Sequence, residues 1–198
     1  MEVARYFDRV GEALKSVRKE EVSSVLEAIY EAYEKQQTIF IIGNGGSASN
    51  ATHFAQDLAK GVIPAESNLQ RVRAMSLTDN ISFITAAAND HGYEKIFEIQ
   101  LKTHARPGDV LIAISGSGNS RNITRAIQYA KSSKLITVGV TGYDGGEVKR
   151  MVHKSLHVPV HEMCTVESIH SVIFHLMVLL LREKITGLPF DEACLVSR

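Results

Sequence analysis

The amino-acid sequence predicts an α/β fold, a three-layer sandwich with a central parallel sheet flanked by helices. Short, continuously apolar and β-branched runs recur along the chain, which is typical of strands buried on both faces of a sheet. The clearest runs end in glycine or serine and are followed by stretches with helical periodicity. Strands that alternate with helices imply βαβ units, in which neighbouring strands are parallel.

The predicted elements begin with helices. Residues 2–35 carry two helical patterns that break near 16–19, and the second repeats its apolar residues at helical spacings. The period then changes, because 38–42 reads Thr-Ile-Phe-Ile-Ile and is followed directly by glycines. Later strands are predicted at 72–77, 110–114, 135–140 and 155–160, and later helices at about 47–60, 80–87, 92–102, 123–131 and 164–184. The longest loop-like stretch is 62–70.

Length and charge limit the classes of protein that the sequence can encode. With 198 residues, the chain is expected to form a single domain, 1–198. Its 22 basic and 22 acidic residues balance, which argues against binding to nucleic acid or to an acidic membrane surface. Two cysteines, Cys164 and Cys194, are too few for a disulfide framework, and the charged N-terminus holds no apolar signal core. We therefore expect a cytoplasmic protein.

The most apolar stretch, 171–181, is about half as long as the ~20 residues that a membrane-spanning helix needs. His175 lies within it. A helix that is apolar on all sides is typical of a helix buried on every face, and in so small a domain this favours a helix covered in part by a second subunit. We therefore expect an oligomer, with the N-terminal helical segment 1–36 and the long C-terminal helix at its interfaces.

Two loops rich in glycine and serine carry the strongest chemical signal. The first, 43–49, reads Gly-Asn-Gly-Gly-Ser-Ala-Ser after the first strand, and the second, 115–120, reads Ser-Gly-Ser-Gly-Asn-Ser after another. Glycines allow backbone N–H groups to approach an anion, and the following helix N-terminus and the serine hydroxyls add further donors. Neither loop has the lysine of a nucleotide P-loop. The favoured ligand is a phosphorylated small molecule.

Two other interpretations of these loops stay open. Gly43, Gly45 and Ala48 fit the relaxed dinucleotide-binding fingerprint. The acidic residue expected about 20 positions later is missing, however, since 62–77 offers only Glu66. Each loop could also be no more than a tight turn between a strand and a helix.

Histidines and carboxylates follow the first loop and recur near the C-terminus. His53 and Asp57 are four residues apart and project from one helix face, so they can grip a divalent metal or act as an acid–base pair. A simple contact on a solvated face is the alternative. Glu167 and His175 are eight residues apart, about 12 Å along a helix, so periodicity alone does not establish a site there. A buried core role is the alternative for His175.

The sequence resembles the sedoheptulose-7-phosphate isomerases (phosphoheptose isomerases), which are built on the sugar-isomerase (SIS) domain. The resemblance covers nearly the whole chain and depends on the order and spacing of several motifs. These are Gly43-Asn-Gly-Gly-Ser47, His53-Phe-Ala, Ala88-Asn-Asp90, Gly108-Asp-Val-Leu, Ile114-Ser-Gly-Ser-Gly-Asn-Ser120, Thr141-Gly-Tyr-Asp-Gly-Gly146 and Ile169-His. The resemblance implies a parallel sheet flanked by helices and a homotetramer with active sites at subunit contacts.

The resemblance also implies roles for individual residues. The substrate-binding residues it implies are Asn44, Gly45, Gly46, Ser47, Asn89, Asp90, Ser115, Gly116, Ser117, Ser120 and Glu167. The four serines among them would hold the sugar phosphate, and Asn89 and Asp90 would line the cleft. From the sequence alone, these last two could equally cap the next helix. The implied ligands of one divalent ion, usually zinc, are His53, Asp57, Glu167 and His175.

Two site positions depart from the family's usual residues. Aspartate stands at Asp57, where these isomerases usually have glutamate, and glutamate stands at Glu167, where they usually have glutamine. We expect Asp57 to move a proton between C1 and C2 of the sugar, and His175, from the facing subunit, to act as the second acid–base group. The predicted reaction is metal-assisted ketose–aldose isomerisation of sedoheptulose 7-phosphate to a glycero-manno-heptose 7-phosphate through an enediol.

Two alternative functions stay open. One is a non-catalytic SIS adaptor that binds a replication initiator protein. The four predicted ligands argue against it, because an adaptor has no need of a metal site. The other is an isomerase of a different sugar phosphate, which pocket contacts from loops such as 62–70 would distinguish.

Overall fold

The computed structural model describes residues 2–187, so the predictions for the C-terminal tail and Cys194 lie outside the described residues. Five strands form one sheet: β1 (Ile39–Ile42), β2 (Ala74–Ser76), β3 (Val110–Ser115), β4 (Ile136–Thr141) and β5 (Lys154–His157). All of them are parallel, in the order β2-β1-β3-β4-β5. The predicted parallel α/β fold is confirmed, and each observed strand lies within a few residues of its predicted bounds.

Eight α-helices accompany the sheet in the described part of the chain. They are α1 (Val3–Lys15), α2 (Lys19–Glu34), α3 (Gly46–Gln56), α4 (Ile81–His91), α5 (Ile96–His104), α6 (Arg121–Ser132), α7 (Gly146–Met151) and α8 (Met163–Thr186). A π-turn, Asp57–Gly61, continues α3, and a 3₁₀ turn, Tyr93–Lys95, precedes α5. The sequence does not predict α7, because six residues are too few for a helical period to show.

The helices cover both faces of the sheet and give it two apolar cores. Along β1, Ile39 and Ile41 belong to one core and Phe40 and Ile42 to the other, because successive strand residues face opposite sides. The first core is closed by α1, α2, α3 and α8, and the second by α4, α5, α6 and α7. Burial on both faces explains why these strands read as unbroken apolar runs.

The strand order creates a crevice at the carboxyl end of the sheet. After β1 the chain passes through α3 to β2, whereas after β3 it passes through α6 to β4, towards the opposite edge. α3 and α6 lie on opposite faces. Connections that leave neighbouring strands in opposite directions open a gap, which is where open α/β sheets bind ligands. The two predicted phosphate loops, 43–49 and 115–120, flank this gap.

α8 is 24 residues long and, by length and composition alone, is apolar enough to cross a membrane. Half of its most apolar window is buried within the domain, so we interpret it as a core helix. Its outer face leaves Val172 and Leu176 exposed by 44% and 39%. α1 likewise exposes Val3 and Phe7, by 70% and 68%. A subunit interface would bury these apolar faces, and the predicted oligomer stays a prediction.

Candidate active site

Glycine determines the shape of the first phosphate loop. Gly45 has a φ of 55°, a backbone conformation that other residues rarely adopt, and α3 begins at the next residue. Gly46 lies against the carboxyl group of Glu167, and a β-carbon at that position would overlap it. Ser47, in the first turn of α3, is buried. The loop therefore brings the N-terminus of α3 to the crevice beside a buried hydroxyl group.

The second phosphate loop presents hydroxyl groups to the same crevice. Ser115 ends β3, is buried, and accepts a hydrogen bond at Oγ from the N–H of Gly118 at 3.2 Å. Ser117 is exposed, and its Oγ accepts from the N–H of Asn119 at 3.4 Å. Ser120 immediately precedes α6 and its side chain makes no capping bond. Ser117 and Ser120 can therefore donate their hydroxyl hydrogens to an anion at the N-terminus of α6.

A pair of amides joins the two loops to each other. Asn44 Nδ2 donates to Oδ1 of Asn122 at 2.9 Å, and Asn122 Nδ2 donates to Oδ1 of Asn44 at 2.8 Å. The hydroxyl of Tyr93 donates to Asn44 Oδ1 at 3.0 Å. Sequence reasoning misses Asn122 and Tyr93, because Asn44 is 78 and 49 residues away from them along the chain. The one available signal is a polar residue in the apolar stripe of α6, where Asn122 is 2% exposed.

Three side chains meet where α3 continues into the π-turn. Nε2 of His53 lies 3.3 Å from Oδ2 of Asp57, and Nε2 of His175 lies 3.6 Å from the same oxygen. The two imidazole nitrogens are 3.5 Å apart. The side chains of both histidines are 52% exposed and that of Asp57 is 21% exposed, so the cluster is open to a ligand. Because His175 comes from the same chain, the expectation that the facing subunit supplies it is corrected.

Packing between α3 and α8 holds this cluster together. Phe54 and Phe174, each next in sequence to a cluster histidine, stack with ring centroids 4.3 Å apart and 10° between their planes. Both rings are buried. At the end of the π-turn, Arg182 of α8 donates from Nε to the carbonyl oxygen of Gly61 at 3.0 Å. π-turns are frequent at functional sites, and here α8 fixes this one at both ends.

The cluster has the ligand types and spacing of a zinc site. Two imidazoles and one carboxylate are common zinc ligands, with bond lengths of about 2.0–2.2 Å. Ligands around a tetrahedral ion at such distances stand about 3.3–3.5 Å apart. The three donor–donor distances measured here are 3.3, 3.5 and 3.6 Å. Three such ligands would leave one position of a bound ion open, as in catalytic zinc sites.

The other predicted site residues lie in two places, Glu167 at the first loop and Asn89 and Asp90 in the last turn of α4. Glu167 is not part of the metal-binding group found among residues 2–187, since its carboxyl group lies at Gly46. Its role as a fourth ligand stays a prediction. Asn50 Nδ2 donates to the backbone carbonyl of Glu167 at 3.0 Å and ties α3 to α8. Asn89 and Asp90 are exposed and hydrogen-bonded to each other in the last turn of α4, so they do not cap the next helix.

A cleft of about 570 Å³ opens on the outer side of α3, with His53 on its wall. Its other lining residues come from α3 and from just beyond β2: Ala48, Ser49, Thr52, Gln56 and Thr78. Small-molecule sites typically have volumes of about 300–1,000 Å³, so the cleft is large enough for a phosphorylated sugar.

Two polar residues of the α8 region have structural roles. His170 is fully buried, with Nε2 at 3.3 Å from the carbonyl oxygen of Thr141 and with Nδ1 unpartnered among the described residues. Burial lowers the pKa of His170 to about 4, so its imidazole is neutral near pH 7. Glu162 caps α8, and hydrogen bonds from the Thr165 hydroxyl and from the N–H groups of Thr165 and Cys164 lower its pKa to about 2.

Comparison with known proteins identifies the family. Residues 5–142 match the family model of the SIS domain. The chain is 36% identical over 173 residues to a phosphoheptose isomerase of Clostridium acetobutylicum, covering 87% of each protein. It is 38% identical over 168 residues to one of Helicobacter pylori, covering 84% of this chain and 83% of that protein. The solved structure of the phosphoheptose isomerase from Neisseria gonorrhoeae matches with a TM-score of 0.82 at 30% identity, over 90% of this chain and 96% of that chain. The chain therefore belongs to the SIS-domain family and, within it, to the phosphoheptose isomerases.

Proposed function

We propose that this protein is a metal-assisted isomerase that interconverts sedoheptulose 7-phosphate and a glycero-manno-heptose 7-phosphate. The observation that carries the proposal is the cluster of His53, Asp57 and His175 beside the phosphate loops. His53 follows Ser47 by six residues, about 9 Å along α3. A seven-carbon sugar phosphate is long enough to reach from the loops to the cluster. The relatives named phosphoheptose isomerase support this substrate class.

The phosphate is held, in this proposal, by backbone groups and hydroxyls. The N-termini of α3 and α6 both reach the crevice, and each offers unpaired N–H groups and a partial positive charge. Ser47, Ser115, Ser117 and Ser120 would add hydrogen bonds from their hydroxyls. A chain with no net charge and no lysine in either loop can therefore hold a dianionic sugar.

Zinc is the metal that we propose for the cluster, with His53, Asp57 and His175 as its ligands. When bound there it would act as a Lewis acid that polarises the carbonyl group of the sugar. Glu167 is proposed to contact the substrate from the other side, because its carboxyl group lies at Gly46 in the first phosphate loop.

Asp57 is the proposed base that moves the proton between the carbon atoms C1 and C2. Its Oδ2 faces both imidazoles, so we assign proton transfer to its other carboxylate oxygen, Oδ1. Asp57 takes a proton from C1 of the ketose and returns one to C2, while His175 gives a proton from Nδ1, the ring nitrogen that does not face the cluster, to the oxygen on C2 and takes one from the C1 hydroxyl. The sugar passes through an enediol, and the two transfers together convert ketose to aldose with all atoms conserved.

We also propose a cytoplasmic homotetramer with active sites at subunit contacts. The exposed apolar residues Val172 and Leu176 flank His175 on α8, and α1 exposes a second apolar face. A neighbouring subunit packed on α8 would cover these side chains and shield the cluster from bulk water. Sedimentation analysis of the purified protein tests this assembly.

Turnover of the sugar tests the proposed reaction. Purified protein with added zinc is expected to convert sedoheptulose 7-phosphate. In D₂O the aldose is expected to carry deuterium at C2, because the proton on the partly exposed Asp57 exchanges with solvent before it is returned. Asp57→Asn is expected to lose at least about 100-fold in rate, because general base catalysis contributes that much or more. Glu147→Gln, a carboxylate-to-amide change on the exposed side of α7, is the matched control.

The opposite result is equally clear. If neither the wild-type protein nor Asp57→Glu converts the sugar with zinc present, the isomerase proposal is wrong. A tetramer that binds a protein partner without metal would then support the adaptor function. Turnover of a shorter sugar phosphate in place of the heptulose would instead show that the reaction is right and the substrate is wrong.

A further inference from the structure

Asn44, Asn122 and Tyr93 form a hydrogen-bonded group that we call the loop lock. Each of its members belongs to a different segment of the crevice. Asn44 lies in the first phosphate loop, Asn122 in the first turn of α6 just after the second loop, and Tyr93 in the 3₁₀ turn after α4. The lock thus connects three segments that are far apart in sequence and that all border the proposed phosphate position.

The lock occupies most of the hydrogen-bonding capacity of the Asn44 side chain. Its Nδ2 donates to Asn122, and its Oδ1 accepts from both Asn122 and Tyr93, at distances between 2.8 and 3.0 Å. A carboxamide oxygen has two acceptor positions, and both are used here. The donors that Asn44 can still offer to a bound anion are its backbone N–H and the one Nδ2 hydrogen that the lock does not use.

The hydrogen bonds between Asn44 and Asn122 are costly to break because both residues are at least half-buried. Asn122 is 2% exposed and Asn44 is half-buried, so breaking the pair would leave buried polar groups without partners. Tyr93 differs, because its ring is 56% exposed and only its hydroxyl is engaged. Removing that hydroxyl takes away one bond of the lock and leaves the apolar core intact.

We infer that Asn122 and Tyr93 are positioning residues for the phosphate, and that the side chain of Asn44 acts in the lock rather than on the substrate. The inference rests on the proposed function in one respect, namely that the anion between the loops is a phosphate. The two loops supply donors from different strands, so a fixed separation between them means that little freedom is lost when the anion binds. The lock makes no contact with His53, Asp57 or His175, so it acts on phosphate affinity and not on the chemical step.

Three variants test the lock in the purified, assembled protein. Asn122→Leu removes both amide bonds at nearly constant size, Tyr93→Phe removes one bond, and Asn44→Leu is combined with Asn122→Leu in a double variant. The dissociation constant of inorganic phosphate is measured by calorimetry with and without zinc, which separates phosphate held by the metal. The KM and kcat for sedoheptulose 7-phosphate are measured beside it. Gln128→Leu, on the exposed side of α6, and Tyr129→Phe are the matched controls.

The lock predicts weaker phosphate binding with unchanged chemistry. Asn122→Leu is expected to weaken phosphate binding about tenfold and Tyr93→Phe about threefold, which correspond to about 1.4 and 0.7 kcal/mol. KM is expected to rise by the same factors, while kcat and zinc affinity stay within about twofold. The double variant is expected to bind phosphate at most about threefold more weakly than Asn122→Leu alone, because beyond the amide pair it loses only the hydrogen bond from Tyr93.

Each contrary result has its own meaning. If Asn122→Leu and Tyr93→Phe both bind phosphate like the wild type, the inference is wrong. A double variant much weaker than either single variant also overturns it, because Asn44 would then touch the ligand itself. If Asn122→Leu does not fold, Tyr93→Phe decides by its KM alone. If phosphate binding depends on the lock but the protein converts no sugar, the inference is supported and the isomerase proposal is contradicted. If the wild-type protein does not bind phosphate at all, both are contradicted.

Discussion

The phosphate loops and the His53–Asp57–His175 cluster lie along the same helix, α3, but they are built in different ways. The loops are backbone structures whose form follows from strand order and from glycines in special conformations. The cluster consists of side chains from segments up to 122 residues apart, which meet because Phe54 stacks on Phe174. The proposed anion binding would therefore depend on local backbone geometry, whereas the proposed metal binding would depend on how two distant helices pack. We expect that each half of the site can be disturbed without the other.

The largest effect should come from removing a cluster imidazole. His175→Ala is expected to abolish tight zinc binding and to lower kcat/KM about 1,000-fold, equivalent to about 4 kcal/mol of lost transition-state stabilisation. Inorganic phosphate should bind with unchanged affinity, because the loops do not contact His175. Zinc titration and calorimetry of the variant measure both quantities, with His104→Ala on the exposed end of α5 as control. Loss of phosphate binding in a folded His175→Ala variant would show that the two halves are not independent.

The same difference explains which features the sequence predicts. β1 and the glycines after it are neighbours in the chain, so a buried strand and an anion-binding loop can be predicted from local pattern alone. The spacing of His53 and Asp57 likewise predicts their contact, since both lie within one turn of helix. The place of His175 stays undecided at that level, because eight residues of helix separate it from Glu167 and nothing local shows what α8 packs against.

Features that depend on the order of the strands in the sheet cannot be predicted from local sequence pattern. The pairing of Asn44 with Asn122 requires β1 and β3 to be neighbours, and that order becomes evident only in the folded sheet. The π-turn at 57–61 depends on α8 packing against it, so the sequence there predicts an ordinary helix. The position of Glu167 against Gly46 cannot be predicted from local pattern either, because it depends on where α8 crosses α3.

A second prediction concerns His170, whose imidazole joins α8 to the carboxyl end of β4. Its pKa is about 4 in the folded chain, against a usual value of about 6.5 when unfolded. Between these values the unfolded chain binds more protons, so stability is present above about pH 6.5 and is lost as pH falls towards about 4. The loss from this residue is expected to reach about 3 kcal/mol.

Urea unfolding at several pH values between 7 and 4 checks this loss. His170→Gln should show a shallower decline than the wild type, because the group that titrates is gone. His157, whose pKa burial also lowers, is retained in both proteins, so its contribution cancels in the comparison. Parallel curves for the two proteins would contradict the prediction and would show that α8 is not held by a neutral His170.

A third prediction concerns the backbone of the first loop. A β-carbon at Gly43 would collide with the backbone carbonyl of Ser47, whereas one at Gly45 would meet nothing within 4 Å. Gly43→Ala is therefore expected to lower the free energy of unfolding by about 2–3 kcal/mol, as overpacking does, and to weaken phosphate binding. Gly45→Ala, strained only by its backbone conformation of φ 55° and ψ −124°, should cost about 1–2 kcal/mol. Equal costs for the two variants, measured by urea unfolding, would show that loop crowding is not what requires Gly43.

The smallest effect should come from Asp57→Glu, which lengthens the side chain of the proposed base by one methylene. Asp57 Oδ2 lies 3.3 and 3.6 Å from the two imidazole nitrogens, which already suits ligands of a shared tetrahedral ion. We therefore expect the aspartate to suit a helix that turns into a π-turn at that residue, and a glutamate to place the carboxylate one methylene further along. Asp57→Glu is expected to keep zinc and phosphate binding but to lower kcat about fivefold, because proton transfer depends on hydrogen-bond distance. The kcat values of the wild type and of Asp57→Glu, measured by steady-state kinetics at saturating zinc, test this prediction. A higher kcat in Asp57→Glu would mean that the shorter side chain limits this enzyme and that the π-turn does not compensate for it.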